Sequence, residues 1–277
     1  MSDVPPRVGT CGWQYRHWRG LFYPDRLRAD AWLSFYVRAF DTVEVNSTFY
    51  RTPAGPAVER WRAEAPDGFL FATKLYRLIT HERRLRPAHG ELARALEPAR
   101  RLGSARGPLL VQLPSSFRRD LPRVLSFARA VRSFEPAFEF RHASWFEEPD
   151  LERRLNDAGG VLVTVDGPLL RTALFTAGPF VYVRFHGRGP GPHDYTASEL
   201  DEVARGLRER LGPRQRLFAY FNNDVGGFAP PNARMLRDRL GGVPPADVQG
   251  EPWSALIDDT RWPHFGQNTT SPHRSGR

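Results

Sequence analysis

The chain has 277 residues, of which 40% are hydrophobic, 26% charged and 12% aromatic. This composition is typical of a globular protein and excludes a wholly disordered, fibrous or collagen-like chain. The single cysteine, Cys11, cannot form an internal disulfide, which excludes a disulfide-stapled secreted scaffold. The first residues contain no apolar signal segment, and no apolar run approaches the roughly 18 residues of a membrane helix. We therefore expect a cytoplasmic protein that does not enter a membrane.

The net charge is strongly positive, with 40 basic residues against 31 acidic ones and a formal charge of +9. Such a field attracts anions, so nucleic acids and phosphorylated ligands are candidate partners. However, 39 of the basic residues are arginines scattered along the chain, a pattern that genome-wide codon bias also produces. Lys74 is the only lysine. Its retention indicates a position that needs a compact ammonium group with an adjustable pKa.

Short β-rich segments alternate with longer segments of helical periodicity. The predicted strands are 7–11, 42–46, 70–74, 109–113, 137–141, 161–166, 181–186 and 217–222. The predicted helices are 31–40, 57–65, 91–102, 121–131, 149–158, 198–211 and 232–240. The connection 167–180 lacks a clear helical pattern. Ser198, followed by acidic residues, is predicted to cap the helix that it begins.

Eight strand–crossover units in about 240 residues predict an α/β fold, a single (β/α)8 TIM-like barrel, because right-handed crossovers between parallel strands close the sheet. An open doubly wound sheet is the alternative, but no GxGxxG loop opens a helix. We expect the barrel to span residues 1–241. Residues 242–277 are rich in Pro and Gly, and we expect them to form a C-terminal extension, partly draped over the barrel and partly disordered.

Polar side chains collect at the carboxyl ends of seven predicted strands, which is where barrel enzymes place their active sites. Charges within apolar strands are costly unless they are paired or functional, and a structural ion pair is the alternative for any one of them. The candidate catalytic residues are Glu44, Lys74, Glu139, Asp166 and His186. The candidate ligand-binding residues are Trp13, Asn46, Gln112, Arg141, Trp145, Arg184, Tyr195 and Asn222.

Aromatic residues follow several strand ends, and their flat faces suit sugar rings or bases. Trp13 and Trp145 are the best candidates for ligand contact, because each lies within a few residues of a strand end. Tyr195 follows the glycine-rich segment HGRGPGPH, which we interpret as a rim loop or lid.

Seven motifs occur in order between Gly9 and about Leu240: GTCGWQYRHWRGLFYP, VEVNSTFYRTP, FATKLYRLITH, QLPSSF, EFRHASW, VRFHGR and YFNNDVGGFAPPNA. Together they resemble the domain-of-unknown-function 72 family, also called YecE-like. The resemblance implies a TIM-like barrel with these motifs around one pocket, and it implies no established reaction. Cys11 stands where the family pattern usually has serine, which argues against an obligatory serine nucleophile.

The first functional hypothesis is an enzyme that acts on a phosphorylated, sugar or nucleotide-like ligand. Basic groups would hold the anion, and carboxylates would act as acids, bases or metal ligands. The basic residues are Lys74, Arg141 and Arg184, and the acidic ones are Glu44, Glu139 and Asp166. Proton carriers or ligands could come from His81, His142 and His186.

A metal-dependent phosphodiesterase or isomerase is an alternative, similar to the apurinic-endonuclease or xylose-isomerase barrels. Mixed oxygen and nitrogen donors would favour Zn²⁺ or Mn²⁺. No HExxH spacing supports a metal, so the cofactor is left open.

Two further hypotheses are a second type of enzyme and a protein of another class, a binding module. Glu44 and Glu139 could act as the carboxylate pair of a glycoside hydrolase. Alternatively, the chain could be a nucleic-acid or small-ligand binding module without turnover, since RHWRGLFYPDRLR from Arg16 interleaves basic and aromatic residues.

Overall fold

The computed structural model of the protein describes residues 4–242. In this part of the chain, eight parallel strands form one sheet in the order β1-β8-β7-β6-β5-β4-β3-β2. The strands are β1 Arg7–Thr10, β2 Thr42–Val45, β3 Leu70–Lys74, β4 Arg106–Gln112, β5 Pro136–Glu139, β6 Val161–Asp166, β7 Phe180–Phe185 and β8 Arg216–Phe221. The predicted (β/α)8 barrel is confirmed.

The barrel closes where β1 meets β2. A parallel bridge joins Cys11 to Glu44 just beyond the end of β1. Two residues before Cys11, a side chain at Gly9 would collide with the backbone carbonyl of Thr42. Glycine at this position therefore allows the two strands to approach closely enough to complete the barrel.

Helices connect most of the strands and surround the barrel. The α-helices of the described residues are α1 Trp32–Tyr36, α2 Ser47–Tyr50, α3 Gly55–Glu64, α4 Glu91–Arg101, α5 Leu121–Val131, α6 Leu151–Asp157, α7 Ala197–Arg210 and α8 Ala229–Arg239. No helix lies between β6 and β7, as the sequence predicted for this connection.

Period-two alternation divides the side chains of each strand between the inside and the outside of the barrel. In β7, Phe180 and Tyr182 belong to the inner cluster, whereas Val181 and Val183 pack towards the surrounding helices. Arg184 continues the inward row. A charged side chain thus lies on the inward face at the carboxyl end, and it needs partners there.

The β4 strand begins at Arg106, three residues before the predicted start. The additional residues include Gly107 and Pro108, two residue types that usually interrupt strands. The pairing between β3 and β4 shifts register between Phe71 and Thr73. This irregularity accommodates the proline, which has no amide hydrogen to donate.

The predicted cap of α7 was wrong. Thr196, not Ser198, caps the helix: its hydroxyl accepts from the amide of Glu199, whose carboxylate accepts from the Thr196 amide. This reciprocal pair is a capping box. Ser198 already lies within the first turn.

We expect Thr196→Ala to lower the free energy of unfolding by about 1 kcal/mol, because it leaves the first-turn amides without their cap. Ser198→Ala is the matched control, and its effect is expected to stay within about 0.5 kcal/mol. Urea unfolding of the two variants measures both values. Equal losses in the two variants would contradict the assigned cap.

The expected C-terminal extension lies outside the described residues from position 243 onward, so its partly draped, partly disordered character stays a prediction. Among the helices of residues 4–242, none has the length and hydrophobicity needed to cross a bilayer.

Candidate functional site

An ion-pair network lies inside the barrel near its carboxyl end. Arg184 donates from Nε and Nη2 to the two carboxylate oxygens of Glu44 at 3.0 and 2.9 Å, and from Nη1 to Glu139 at 2.5 Å. Arg184 is 2% exposed and both glutamates are 0% exposed. Buried charges persist only when they are paired and hydrogen-bonded. We call these three residues the ion-pair floor.

Neutral and charged donors complete the coordination of the two carboxylates. The Tyr182 hydroxyl donates to Glu44 at 2.7 Å. Glu139 accepts from Gln112 at 2.7 Å and from Nε of Arg141 at 2.8 Å. Every carboxylate oxygen of the floor therefore has a donor. Burial alone would raise the pKa of Glu139, but the nearby arginines lower it overall, so this group stays ionised.

The strand register explains how these residues meet. Gln112 and Glu139 are directly paired on β4 and β5, and alternation places Tyr182 and Arg184 on the same inward row of β7. Because both carboxylates are buried and fully paired, the geometry favours a positioning role for them. It does not support the free carboxylate pair that a glycoside hydrolase needs.

Cys11 lies against the floor. Its Sγ is 3.6 Å from Nη2 of Arg184, and the residue is 1% exposed. Burial and the neighbouring Glu44 carboxylate raise the pKa of the thiol well above its usual value. A buried, protonated thiol is a poor nucleophile.

Lys74 ends β3, partly buried, near the same end of the barrel. Its Nζ lies 4.1 Å from the centroid of the Phe49 ring, a cation–π contact. No described carboxylate forms an ion pair with it. Burial, together with the positive charges of Arg184 and Arg141, lowers the pKa of Lys74 to about 8. Both the ammonium and the neutral amine forms of Lys74 are therefore populated at slightly alkaline pH.

His186 and two asparagines form a polar group beside the floor. Nε2 of His186 lies 3.4 Å from Nη1 of Arg184, and Nδ1 lies 3.2 Å from Nδ2 of Asn222. Nδ2 of Asn46 lies 3.5 Å from Oδ1 of Asn222. The Oδ1 of Asn46 is buried and has no hydrogen-bond partner among residues 4–242. Burial, followed by the charge of Arg184, lowers the pKa of His186 to about 3.

We expect the imidazole resonances of His186 to stay unchanged between pH 8 and 5, because this ring remains neutral in the folded protein. NMR titration measures this, and the same protein in concentrated urea serves as the control, where the ring should titrate near about 6.5. As the pH falls, His186 is protonated in the unfolded state before it is protonated in the folded state. Its contribution to the free energy of unfolding is therefore complete above about pH 6.5 and is lost progressively as the pH falls towards about 3. A pKa of about 6.5 for His186 in the folded protein would contradict the buried, neutral state assigned to this ring.

Asp166 and Tyr195 belong to a separate cluster. Arg188 donates from Nε and Nη2 to Asp166 at 3.0 and 2.7 Å. The Tyr195 hydroxyl accepts from the Gly187 amide at 3.1 Å and lies 3.4 Å from the Asp166 carboxylate. Tyr195 is 2% exposed. Both residues therefore hold the loop after β7 in place. Among the described residues, no hydrogen bond or ion pair joins either of them to Lys74.

Trp13 and Trp145, the aromatic residues predicted to contact a ligand, are both buried in apolar packing. Trp13 packs edge-on against Trp61, with ring centroids 5.4 Å apart. Trp145 is fully buried, stacks on Phe140 at 4.1 Å and donates its indole N–H to the carbonyl of Phe117. Both rings pack the loops onto the barrel, since the surrounding apolar surface covers them.

The segment that interleaves basic and aromatic residues is also packed. Trp18, Phe22 and Tyr23 are buried in the main core cluster. Their rings are covered, so they offer no stacking platform for a single strand of nucleic acid.

The described residues contain no group of three or more His, Cys, Asp or Glu side chains arranged to hold a metal ion. The carboxylates of the floor already accept from arginine, tyrosine and glutamine. This donor set does not fit the divalent-cation hypothesis.

Two residues of the site, Phe49 and Tyr182, were missing from the sequence-based candidates, whereas His81 was predicted as a proton carrier or ligand. Phe49 carries the cation–π contact with Lys74, Tyr182 donates to Glu44, and His81 packs edge-on against Phe49 at a centroid distance of 5.0 Å. Tyr182 was detectable, because it lies two residues before Arg184 on the same strand face. Phe49 and His81 lie on two separate short helical segments, one after β2 and one after β3, and they meet only when the chain folds.

The sequence matches the family described as "Protein of unknown function DUF72" over residues 7–255. The chain belongs to this family. It is 32% identical over 151 residues to the UPF0759 protein YecE of Escherichia coli strain K12, which is 54% of this chain and 53% of YecE. It is 26% identical over 268 residues to the UPF0759 protein YunF of Bacillus subtilis, covering 84% and 94% of the two chains. The DUF72 chain thus spans about half the length of YecE in that match.

Solved structures with the same fold include two DUF72 proteins. One, from Thermotoga maritima, has a TM-score of 0.73 and 26% identity, covering 86% of this chain and 100% of the other. Another, from Enterococcus faecalis, has a TM-score of 0.71 and 21% identity, covering 88% and 100%. These similarities establish that the chain belongs to the DUF72 family and has its barrel fold, but they do not identify a reaction.

Proposed function

We propose that this DUF72 barrel is an enzyme that binds and converts a small anionic ligand, a phosphorylated or carboxylated sugar-like molecule, at the carboxyl end above the ion-pair floor. The observation that carries the proposal is the position of Lys74. Its ammonium group lies at the end of a barrel strand without a carboxylate partner in the described chain. An uncompensated cation at that end of a barrel favours an anionic ligand.

The charges around Lys74 support the same conclusion. The negative charges of the two floor carboxylates are balanced by ion pairs with Arg184 and Arg141. His186 adds no charge because its pKa is near 3. Lys74 therefore contributes the excess positive charge. The side chain of Arg141 is 41% exposed, and its free guanidinium nitrogens can bind a phosphate or carboxylate.

Two observations favour a sugar-like ligand over a bare ion. The Oδ1 of Asn46 is buried without a partner among the described residues, so a ligand hydroxyl that reached it once this side chain turned outward would satisfy an otherwise unpaired acceptor. The ring of Phe49, beside Lys74, offers an apolar face against which a sugar ring can pack.

Lys74 is also the group best matched to proton transfer. Its pKa of about 8 lies near the working pH, whereas that of His186, about 3, makes the imidazole a weak base. In this mechanism Arg141 holds the anionic group, Asn46 accepts from a hydroxyl, and Lys74 exchanges a proton with the ligand.

Isothermal titration calorimetry with sugar phosphates, sugar acids and their neutral parent sugars tests the proposal. We expect the charged ligands to bind at least about tenfold more tightly, because each gains a charge-assisted hydrogen bond. The affinity should fall as salt is added. Equal affinity for a neutral sugar and its phosphate would contradict the proposal, and so would the absence of binding by every member of the panel.

A further inference from the structure

Lys74 has the surroundings of an amine nucleophile. Its Nζ faces the ring of Phe49 at 4.1 Å, and no carboxylate of the described chain pairs with it. We propose that Lys74 forms an imine with the carbonyl carbon of a small anionic substrate. This inference rests on the proposed function, because the same end of the barrel must hold the anion. It adds the substrate class: a 2-oxo acid or a sugar phosphate with a free aldehyde or ketone.

The charged groups around Lys74 favour the neutral amine. Arg184 and Arg141 oppose the ammonium form, and burial opposes it most strongly. The two floor carboxylates favour the ammonium form of Lys74, but both are already paired with arginine. With a pKa of about 8, about a quarter of Lys74 is neutral at pH 7.5, roughly 200-fold more than for an ordinary lysine. An amine must be neutral to attack a carbonyl, and burial is a known means of producing one.

His81 is placed to carry protons for this reaction. Its ring and the Nζ of Lys74 both contact Phe49, and its Nδ1 lies 2.9 Å from the hydroxyl of Thr80. Burial and the positive charges of Lys74 and Arg77 lower the pKa of His81. The imidazole is therefore largely neutral near pH 7 and able to accept a proton.

The covalent step balances as a condensation. The lone pair of the neutral Nζ attacks the carbonyl carbon, and the C=O π electrons move to oxygen. One proton leaves nitrogen through His81, and the carbonyl oxygen gains a proton, which gives a carbinolamine. The nitrogen lone pair then expels this oxygen, which takes a further proton and leaves as water. The product is a protonated imine, with no net oxidation or reduction.

Reductive trapping with sodium cyanoborohydride tests the inference. The full chain is incubated with pyruvate, with glyceraldehyde 3-phosphate, or with the neutral ketone hydroxyacetone, and intact mass and peptide mapping locate the adduct. Because Lys74 is the only lysine, the α-amino group is the single competing amine and serves as the internal reference. Lys74→Arg, which retains the charge but lacks the amine, is the matched variant.

We expect a saturable adduct on Lys74 with at least one of the two anions, and none at this position in Lys74→Arg. The trapping rate should level off above about pH 8, whereas an ordinary lysine keeps gaining neutral amine up to about pH 10.4. No adduct on Lys74, despite calorimetric binding of a sugar phosphate or sugar acid, would overturn the imine and leave the proposed function standing. Equal trapping of hydroxyacetone would support the imine and overturn the anion site. Neither binding nor trapping would overturn both.

Discussion

Replacing Arg184 with methionine is expected to destabilise the protein by about 3–5 kcal/mol, enough to unfold much of it or make it insoluble. Arg184 is 2% exposed and donates to both Glu44 and Glu139, which are 0% exposed. Without the guanidinium group, two ionised carboxylates remain inside the barrel with no compensating charge between them. Chemical unfolding, or soluble yield where unfolding cannot be followed, measures the loss.

The triple variant Glu44→Gln, Glu139→Gln and Arg184→Met is the control. It removes the whole buried charge set, so we expect it to recover most of the stability that the single variant loses. Arg141→Gln is the second control, because this arginine is largely exposed and its loss should cost about 1 kcal/mol or less. If Arg184→Met is as stable as the wild-type protein, the ion-pair floor does not have the structural role assigned to it.

Replacing Lys74 with methionine is expected to abolish or strongly weaken ligand binding without unfolding the barrel. Methionine keeps the length and apolar contacts of a partly buried side chain and removes a charge that burial disfavours. The melting temperature should therefore be unchanged or higher. The affinity for a sugar phosphate or sugar acid should fall about 10- to 150-fold, the effect of losing one hydrogen bond to a charged group.

Lys74→Arg distinguishes charge from shape at the same position. The planar guanidinium group cannot replace a compact ammonium, so folding should be retained and affinity should still fall. Arg77→Met removes an exposed cation three residues away, which pairs with Glu82, and should leave affinity unchanged. If Lys74→Met or Lys74→Arg binds with wild-type affinity, Lys74 is not the anion-binding group.

The barrel was predictable because its periodicity is local. The alternation of Phe180, Tyr182 and Arg184 with apolar neighbours on β7 is visible in six residues. The errors lie where one local signal competes with another. Pro108 is a residue type that usually interrupts strands, and β4 nevertheless continues through it with a register shift against β3. Ser198 is a good capping residue, yet Thr196 takes that role two positions earlier.

The site was predictable only as a ring of polar residues. The sequence placed Glu44, Glu139 and Arg184 at the carboxyl ends of their strands, but no local pattern shows that one arginine bridges both carboxylates across the barrel. Burial of Trp145 depends on Phe140 and Phe117, which approach it only in the folded loops. Long-range packing therefore decides which strand-end residues are structural and which remain available to a ligand.

The most direct test of the account follows the side chain of Lys74 by NMR in protein labelled with [¹³C]lysine, which gives a single Cε signal because the chain has one lysine. We expect this signal to titrate with a pKa of about 8 in the free protein. Adding a sugar phosphate or sugar acid that binds should raise that pKa, because the anion favours the ammonium form. A pKa near about 10.4 that such a ligand does not move would contradict the assignment of Lys74 to the anion site.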